Sequence, residues 1–477
     1  MPVFHLNIRR NCFSSILSTI SFIFFRWHQR IHMYIFILTL FIACLISFYQ
    51  PFGLLFNMKH IVPERPWMKP IRNALIDKQK HDQRIAYEWL SDLWKNSKNH
   101  SHLFSRQTDQ SSFYDFLQLK QPSNLNFTSY RLFEKPKQNH LLTDSSTNTD
   151  QIVISILYSK QDTDHRDGKF YVGQILYYLL KNHHSRFVIT LCENNNTDHE
   201  VTDEIHLIRR LVPVFVINTF DPIRVVDLFE QEKQAHSRCI LANFESFPNV
   251  NYLLLLQDDA QPDEKNFYER FLSLIETRVK PQWPIDSIRQ QPAFLKIYHP
   301  RWLIDYLHPS FYIIVQLFAT SLALTYVIFV CFYLIQIIRQ TNQRAFHNIK
   351  SIYRLVTINI NFLLFCNYFL LITFVLVLLN HSNVSWTWRS LHPSLYAIYP
   401  APSCCLPGVV YFRSTYIQVV DYLNSIQCHT NYAIDTAFDD LPRRTNLQTY
   451  LVEPNLIHHI GLYSRLRHTY INPYLLD

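Results

Sequence analysis

The chain has 477 residues, of which 48% are hydrophobic and 17% charged, a balance lean in charge for a soluble protein and pointing to membrane segments. Its five glycines, Gly53, Gly168, Gly173, Gly408 and Gly461, are too scattered to build G-x-G-x-x-G or a P-loop, which excludes phosphate binding by either kind of glycine-rich loop. The net charge of +8 gathers beside apolar segments, at Arg9, Arg10, Arg26 and Arg30 and again at Arg339, Arg344, Lys350 and Arg354, so it reads as a topology signal, and no nucleic-acid partner is expected.

Residues 34–56, YIFILTLFIACLISFYQPFGLLF, carry no charge and are long enough to cross a bilayer core of about 30 Å. They are too long for a cleaved signal peptide, and predict transmembrane helix 1 as a signal anchor, with residues 1–33 cytosolic. Residues 311–338, FYIIVQLFATSLALTYVIFVCFYLIQII, and 359–380, NINFLLFCNYFLLITFVLVLLN, predict transmembrane helices 2 and 3, joined by a cytosolic linker at 339–358. The alternative for both is a buried core helix. Cytosolic segments carry the excess of Lys and Arg, which puts 57–310 and 381–477 in the lumen, in agreement with the parity of three crossings. The sequons at Asn99, Asn126 and Asn195 then face the side where glycosylation occurs, as do Asn380 and Asn383 close to the third span. Cys192, Cys239, Cys404, Cys405 and Cys428 share that oxidising compartment. Cys192 with Cys239 is the expected long-range disulfide. Cys404 could close on its neighbour Cys405, or one of the two could pair with Cys428.

From 57 to 150 the chain is polar and punctuated by proline, a luminal stem with one helical stretch, RNALIDKQKHDQRIAYEWLSDLWKN, and a loose approach segment. At 151 the rhythm changes. QIVISILYS reads as a strand, FYVGQILYYLLKN as a helix, RFVITLC and LVPVFVI as strands, RVVDLFEQEKQAHSRCILANFESF as a long helix and YLLLLQ as a strand. Strands alternating with helices predict an α/β domain with a mostly parallel sheet covered on both faces, and continuously apolar strands fit burial on both sides. Its two parts, 151–310 and 381–477, would be separated by the transmembrane hairpin.

The last of those strands ends in LLLLQDDAQP, residues 253–262. Open α/β sheets bind ligands outside the carboxyl ends of their strands, which makes Asp258 and Asp259 site candidates. Paired carboxylates with no glycine-rich loop suit a hard divalent cation, Mn²⁺ with Mg²⁺ as the alternative, holding a diphosphate. In a nucleotide-sugar transferase that cation would neutralise charge on the leaving diphosphate. A solvated turn or a helix cap gives the same two letters. Anchor, luminal α/β domain and acids at a strand end together predict a secretory-pathway glycosyltransferase of the GT-A kind.

Three separated blocks carry a resemblance. LVEPNLIHHIGLYSRLR, residues 451–467, resembles the carboxyl-terminal signature of the Golgi GPI-glycan N-acetylgalactosamine transferases, the post-GPI-attachment-to-proteins GalNAc transferase family; a looser version occurs in the N-acetylglucosaminyltransferase IV family. LFEQEKQAHSRCILANFESFPNVNYLLLLQDDAQP, residues 228–262, and YPAPSCCLPGVVYF, residues 399–412, are similar to two further blocks of the first family, whose GT-A domain is likewise interrupted by two transmembrane helices. The resemblance implies inverting transfer of GalNAc from UDP-GalNAc to a mannose of GPI anchors, with GPI-anchored proteins as acceptors, by a Golgi membrane enzyme with a luminal catalytic domain. By motif it implies that Asp258 and Asp259 hold metal and diphosphate. Gln257 stands where the family's acidic triplet begins with Glu, so one charge is missing. It further implies a vicinal Cys404–Cys405 disulfide, with Leu406, Pro407 and Gly408 lining the donor pocket; glycine permits close backbone approach to a ligand.

An inverting transfer needs a base within reach of the acceptor hydroxyl. NYAIDTAFDDLPRR offers Asp435, Asp439 and Asp440, with Asp435 favoured by its spacing from the Cys-Cys block and a helix-surface acid as the alternative. Of His458 and His459, His459 is assigned to the donor site and a packed core histidine is the alternative. Leu157, Tyr158 and Ser159, at the end of the first strand, are expected near the uracil or ribose. Two other readings compete: an N-acetylglucosaminyltransferase-IV-like N-glycan enzyme, and a catalytically inactive Golgi membrane protein that binds glycans or scaffolds other enzymes, which Gln257 favours.

Overall fold

The computed structural model describes Tyr34 and residues 36–47, 68–96, 151–159, 171–184, 186–194, 203–217, 227–263, 266–284, 292–300, 311–341, 350–379, 386–402, 404–461, 463–464 and 469–470. Residues 1–33 and the sequons at Asn99, Asn126 and Asn195 lie outside these, as do those at Asn380 and Asn383. The chain divides into two compact units, Met1–Pro63 with Asp305–Ser385, and Glu64–Ile304 with Trp386–Asp477.

In the first unit the helices Phe311–Thr341 and Lys350–Leu378 pack along each other, with Phe318 stacked on Phe369 at 6.1 Å and Phe329 edge-on to Phe365 at 5.3 Å. Ile314–Ile335 is the one helical segment among the described residues that is long and apolar enough to cross a membrane; Phe36–Ser47 and Leu364–Leu378 are shorter apolar helices. Many of its large apolar side chains face outward, Val327, Phe332 and Leu334 among them. Its hydroxyls turn back on their own backbone, Ser321 to the Leu317 carbonyl at 2.8 Å and Thr325 to that of Ser321 at 2.7 Å, which satisfies them without water.

The second unit is mixed α/β, consistent with a GT-A-like domain. Its helices are α1 (Met68–Asn96), α2 (Tyr171–Lys181), α3 (Asp203–Leu211), α4 (Leu228–Ser246), α5 (Phe267–Leu274), α6 (Tyr416–Ser425) and α7 (Ile434–Thr445). The main strands are β1 (Ile152–Ser159), β2 (Phe187–Asn194), β3 (Val214–Ile217), β4 (Tyr252–Gln257), β6 (Phe294–Lys296), β7 (Ala397–Pro400), β8 (Gly408–Phe412) and β9 (Thr449–Glu453), in the order β3-β2-β1-β4-β8-β6-β9-β7. The β3-β2-β1-β4 half is wholly parallel, whereas β8 runs antiparallel to both β4 and β6, and β7 antiparallel to β9. A small two-stranded sheet pairs β5 (Ala260–Pro262) with β10 (Ile457–His459).

Alternation along the strands divides the core. Ile152, Ile154 and Ile156 join the cluster that holds Val172, Ile175 and Leu176 of α2, Leu207 and Ile208 of α3, and Leu90 of α1. Val153 and Leu157 point the other way, to a cluster with Ile240 and Phe244 of α4, Val419 of α6 and Phe438 of α7. Burying each such side chain contributes roughly 1.5–3 kcal/mol. On the second face Cys192 of β2 is bonded to Cys239 of α4, Cα atoms 5.8 Å apart, beside Asn243, whose amide donates to Ser155 Oγ at 3.1 Å and accepts from Thr190 Oγ1 at 2.8 Å. The helical stretch expected in the stem is α1, and it docks on this unit with Ala86 and Leu90 each 1% exposed.

Candidate active site

β1 and β4 run side by side with Leu157 opposite Gln257, so both strands end at one place. Beyond Gln257 the chain turns through Asp258 and Asp259 into β5, whose partner β10 brings His459 opposite Ala260. His459 Nε2 lies 3.0 Å from Asp259 Oδ2, and the Ile460 amide donates to the Asp259 carbonyl at 2.8 Å. Burial works against charge on both partners, but their mutual attraction and hydrogen bond outweigh it. The Asp259 carboxyl is held below the ordinary range and the His459 imidazole above it, with Asp258 reinforcing the latter. Asp259 Oδ1 is buried with no hydrogen-bond partner among the described residues. A buried carboxylate oxygen left bare is costly, and this one is the donor a hard cation would use.

Gly461 closes the far side of that carboxylate. A Cβ built there would fall 2.3 Å from Asp259 Oδ2, so only glycine lets the backbone pass. The Ile460 carbonyl is in turn held by Gln79 Nε2 of α1 at 2.6 Å, and the Gln79 carbonyl by Gln174 Nε2 at 2.9 Å. His458 is half exposed and directed toward Asp263, Nε2 to Oδ1 at 3.9 Å, away from Asp259's partner position.

The Cys-Cys segment sits against the same strand end. The Gln257 amide donates to the Pro407 carbonyl at 2.8 Å, and Gly408 starts β8 opposite Leu256. Cys404 and Cys405 are bonded to each other, and both have left-handed backbones, φ 78° and 64°. Two consecutive non-glycine residues there cost about 1–3 kcal/mol each, a strain that persists where the surroundings impose it. Cys428 is a buried free thiol. Leu157 and Leu406 are buried in the second core cluster, so their side chains serve packing. Gly408 is needed for packing too: a Cβ would meet Ile457 Cδ1 at 2.3 Å and Ile297 Cγ1 at 3.1 Å. Tyr158 is half-buried against the first cluster at the end of β1.

The candidate bases lie on α7. Asp435 is in its first turn, where the helix dipole favours a negative charge, and Asp439 follows one turn later on the same side. Asp439 is exposed to solvent on one side. Partial burial, with repulsion from Asp435 and Asp440, raises its carboxyl to about 6 against the pull of Lys296 and Arg443. Asp440 accepts from Tyr432 Oη at 2.9 Å, a contact that ties it to a different partner.

The family model for the GPI-N-acetylgalactosamine transferase PGAP4 matches residues 152–458, from the first residue of β1 to the middle of β10. The chain belongs to that family. The match covers more than half of the 477 residues and includes the acidic turn, the Cys-Cys segment and α7. It assigns the chain to the glycosyltransferases, with the glycan of GPI-anchored proteins as the implied acceptor. Two residues of this site were missed in the sequence. Gly461 was noted only as part of the tail signature, and Lys296, a lysine inside the apolar strand FLK, was not singled out at all; a charge in a buried strand was the available signal.

Proposed function

We propose that this chain is a Golgi membrane enzyme that transfers N-acetylgalactosamine from UDP-GalNAc to a mannose of the GPI-anchor glycan, with inversion and with the help of a divalent cation. Membership in the PGAP4 family supports the transferase role, and the environment of Asp259 is the observation that carries the active reading. A strand-end carboxylate with one oxygen on His459 and the other bare and buried fits a hard cation. Asp259 and Asp258 would hold Mn²⁺, or Mg²⁺ in its place. When bound, the cation would offset the charge that grows on the departing diphosphate.

The chain's own groups supply the rest. His459 fixes the Asp259 carboxylate and offers positive charge beside the diphosphate. Tyr158, Gln257 and the backbone of Pro407 and Gly408 border the donor at the ends of β1 and β4 and the start of β8. Asp435 would accept the proton of the acceptor hydroxyl as its oxygen attacks the anomeric carbon from the face opposite the departing UDP, which inverts that centre. Three membrane spans, at 34–56, 311–338 and 359–380, would carry the enzyme, with residues 1–33 and 339–358 cytosolic, 57–150 a luminal approach and 151–310 with 381–477 the luminal catalytic domain.

Gln257 supports one competing reading, an inactive glycan-binding protein, because it removes a charge beside the acids. The test is mass spectrometry of GPI glycans released from cells that lack the endogenous transferase and carry either the wild type or Asp259→Ala. A HexNAc added by the wild type and missing with the variant is expected. A wild type that reaches the Golgi and adds none would overturn the reading and favour the inactive one.

A further inference from the structure

Lys296 ends β6 in the middle of the eight-stranded sheet and is 1% exposed. A lysine is almost never buried so completely unless its charge is met. Its Nζ donates to the Pro402 carbonyl at 3.0 Å and to the Cys404 carbonyl at 2.7 Å, both in the loop that carries the left-handed Cys404 and Cys405. Burial lowers its pKa, and the charges that oppose this are Asp435 and Asp439 of α7. One buried ammonium therefore serves two parts of the candidate site that no strand pairing joins: the loop that leads into β8 and the acidic face of α7.

From this we infer that Lys296 is a positioning residue, which clamps the Cys404–Cys405 loop in its left-handed form and sets the charge of the base Asp435. The inference rests on the proposed transferase reading for the role of Asp435; the clamp on the loop does not. Neutral carbonyls alone would not demand a cation there, since a neutral donor could serve them. Carboxylates alone would not demand burial, since a surface lysine could reach them. Both demands together leave few solutions other than a lysine rooted in β6. Bound to two carbonyls and acted on by the charges of Asp435 and Asp439, the ammonium makes loop order and base ionisation depend on one side chain.

Asp439, one turn along from Asp435, is also acted on by Asp440 and Arg443 of the same helix, and on α4 His236 packs on Phe438. Burial lowers His236 to about 3, so it is neutral throughout the working range and does not compete with Lys296. Tyr422 of α6 and Tyr432 are coupled to Asp440 and are held protonated.

The full-length chain with Lys296→Gln, which keeps a hydrogen-bond donor and loses the charge, and with Lys296→Met, which loses both, separates the two roles. Wild type and both variants are compared by the pH profile of kcat/KM for UDP-GalNAc-dependent transfer and by hydrogen exchange across residues 401–408. Removing the cation should move the acid limb of the profile to higher pH in Lys296→Gln. Exchange in the loop should be faster in Lys296→Met than in wild type. A lysine that only filled space would lower activity and leave the limb where it was, and an unmoved limb in an active Lys296→Gln enzyme overturns the inference. So does unchanged exchange in Lys296→Met. If Lys296→Met does not fold, Lys296→Gln decides by the same limb. A wild type that turns over no UDP-GalNAc refutes the transferase reading instead, and loop exchange then decides the clamp by itself.

Discussion

Asp259 is held by His459 on one oxygen and left bare on the other, and that asymmetry determines how its neighbours should respond to mutation. Asp259→Asn keeps the shape and removes the charge, so transfer should fall by about 100-fold or more. An active Asp259→Asn enzyme would remove this residue from the site. In Gly461→Ala the new methyl falls 2.3 Å from Oδ2, so the carboxylate must move. Loss of Mn²⁺ binding, read by calorimetry, should exceed the loss of Tm; unaltered binding would show that the backbone gives way instead. The His459–Asp259 pair also has a pH signature. His459 has its pKa raised from 6.5, so its contribution to stability is full below about pH 6.5 and is lost as pH rises through the folded-state value. Asp259 has its pKa lowered from 3.8, so its contribution is full above about pH 3.8 and is lost as pH falls through its folded-state value. The Tm difference between wild type and His459→Gln in chelator should therefore be largest between about pH 4 and 6.5 and shrink in alkali. A difference that keeps growing above pH 8 would contradict the ion pair. Asp258, Asp259, the cysteines and His459 could be singled out in the sequence because each belongs to a short motif of unusual residue types. Gly461 offered no such signal and Lys296 only a charge inside an apolar stretch, because what makes them necessary is a partner more than a hundred residues away, Asp259 for one and Cys404 for the other.

The elements that were readable are long apolar runs with polar ends. β1, β2 and β4 are apolar runs closed by polar residues, and α4 starts behind Asp227, whose side chain caps the Phe229 amide at 3.0 Å. LVPVFVI was expected as one strand. The structure gives it a four-residue strand, Val214–Ile217, after Pro213, with Leu211 ending α3, because proline donates no ladder hydrogen bond and closes the preceding helix. β6 has three residues and β8 five, too short for a pattern, and their antiparallel pairing depends on chain far away in sequence. α1 shows the same limit. Its composition suggested a stem, yet Trp89 meets Tyr177 edge-on at 5.2 Å and Gln79 holds the Ile460 carbonyl beside the candidate metal site. Leu90→Ala should therefore destabilise the α/β unit by about 2–5 kcal/mol, as a core deletion does, whereas a stem residue would be nearly neutral. Chemical denaturation in detergent would read the difference, and an unchanged midpoint would return α1 to the stem.

At the scale of the whole molecule, the family match spans residues 152 to 458, a range that contains the helices Phe311–Thr341 and Lys350–Leu378. β6 precedes them and β7, β8 and β9 follow, and all four strands belong to one sheet. The two helices thus interrupt the chain of a single sheet, and neither part of that sheet is complete without the other. On the proposed function, an insertion at that point would serve the acceptor. A GPI glycan stands a short distance from the bilayer, and an enzyme carried on membrane helices meets it at the high effective concentration of a tethered reaction. Replacing residues 305–385 with a soluble linker, while keeping the rest of the chain, should leave UDP-GalNAc hydrolysis within a few-fold of wild type, because the donor groups named above are all in the second unit. Modification of GPI-anchored proteins on membranes should fall by about 100-fold, the lower end of what tethering contributes, while a detergent-released GPI glycan should be modified by the two forms at similar rates. Equal modification on membranes would refute the tether. Equal loss on both acceptors would instead show that the helices are needed for the fold of the sheet they interrupt.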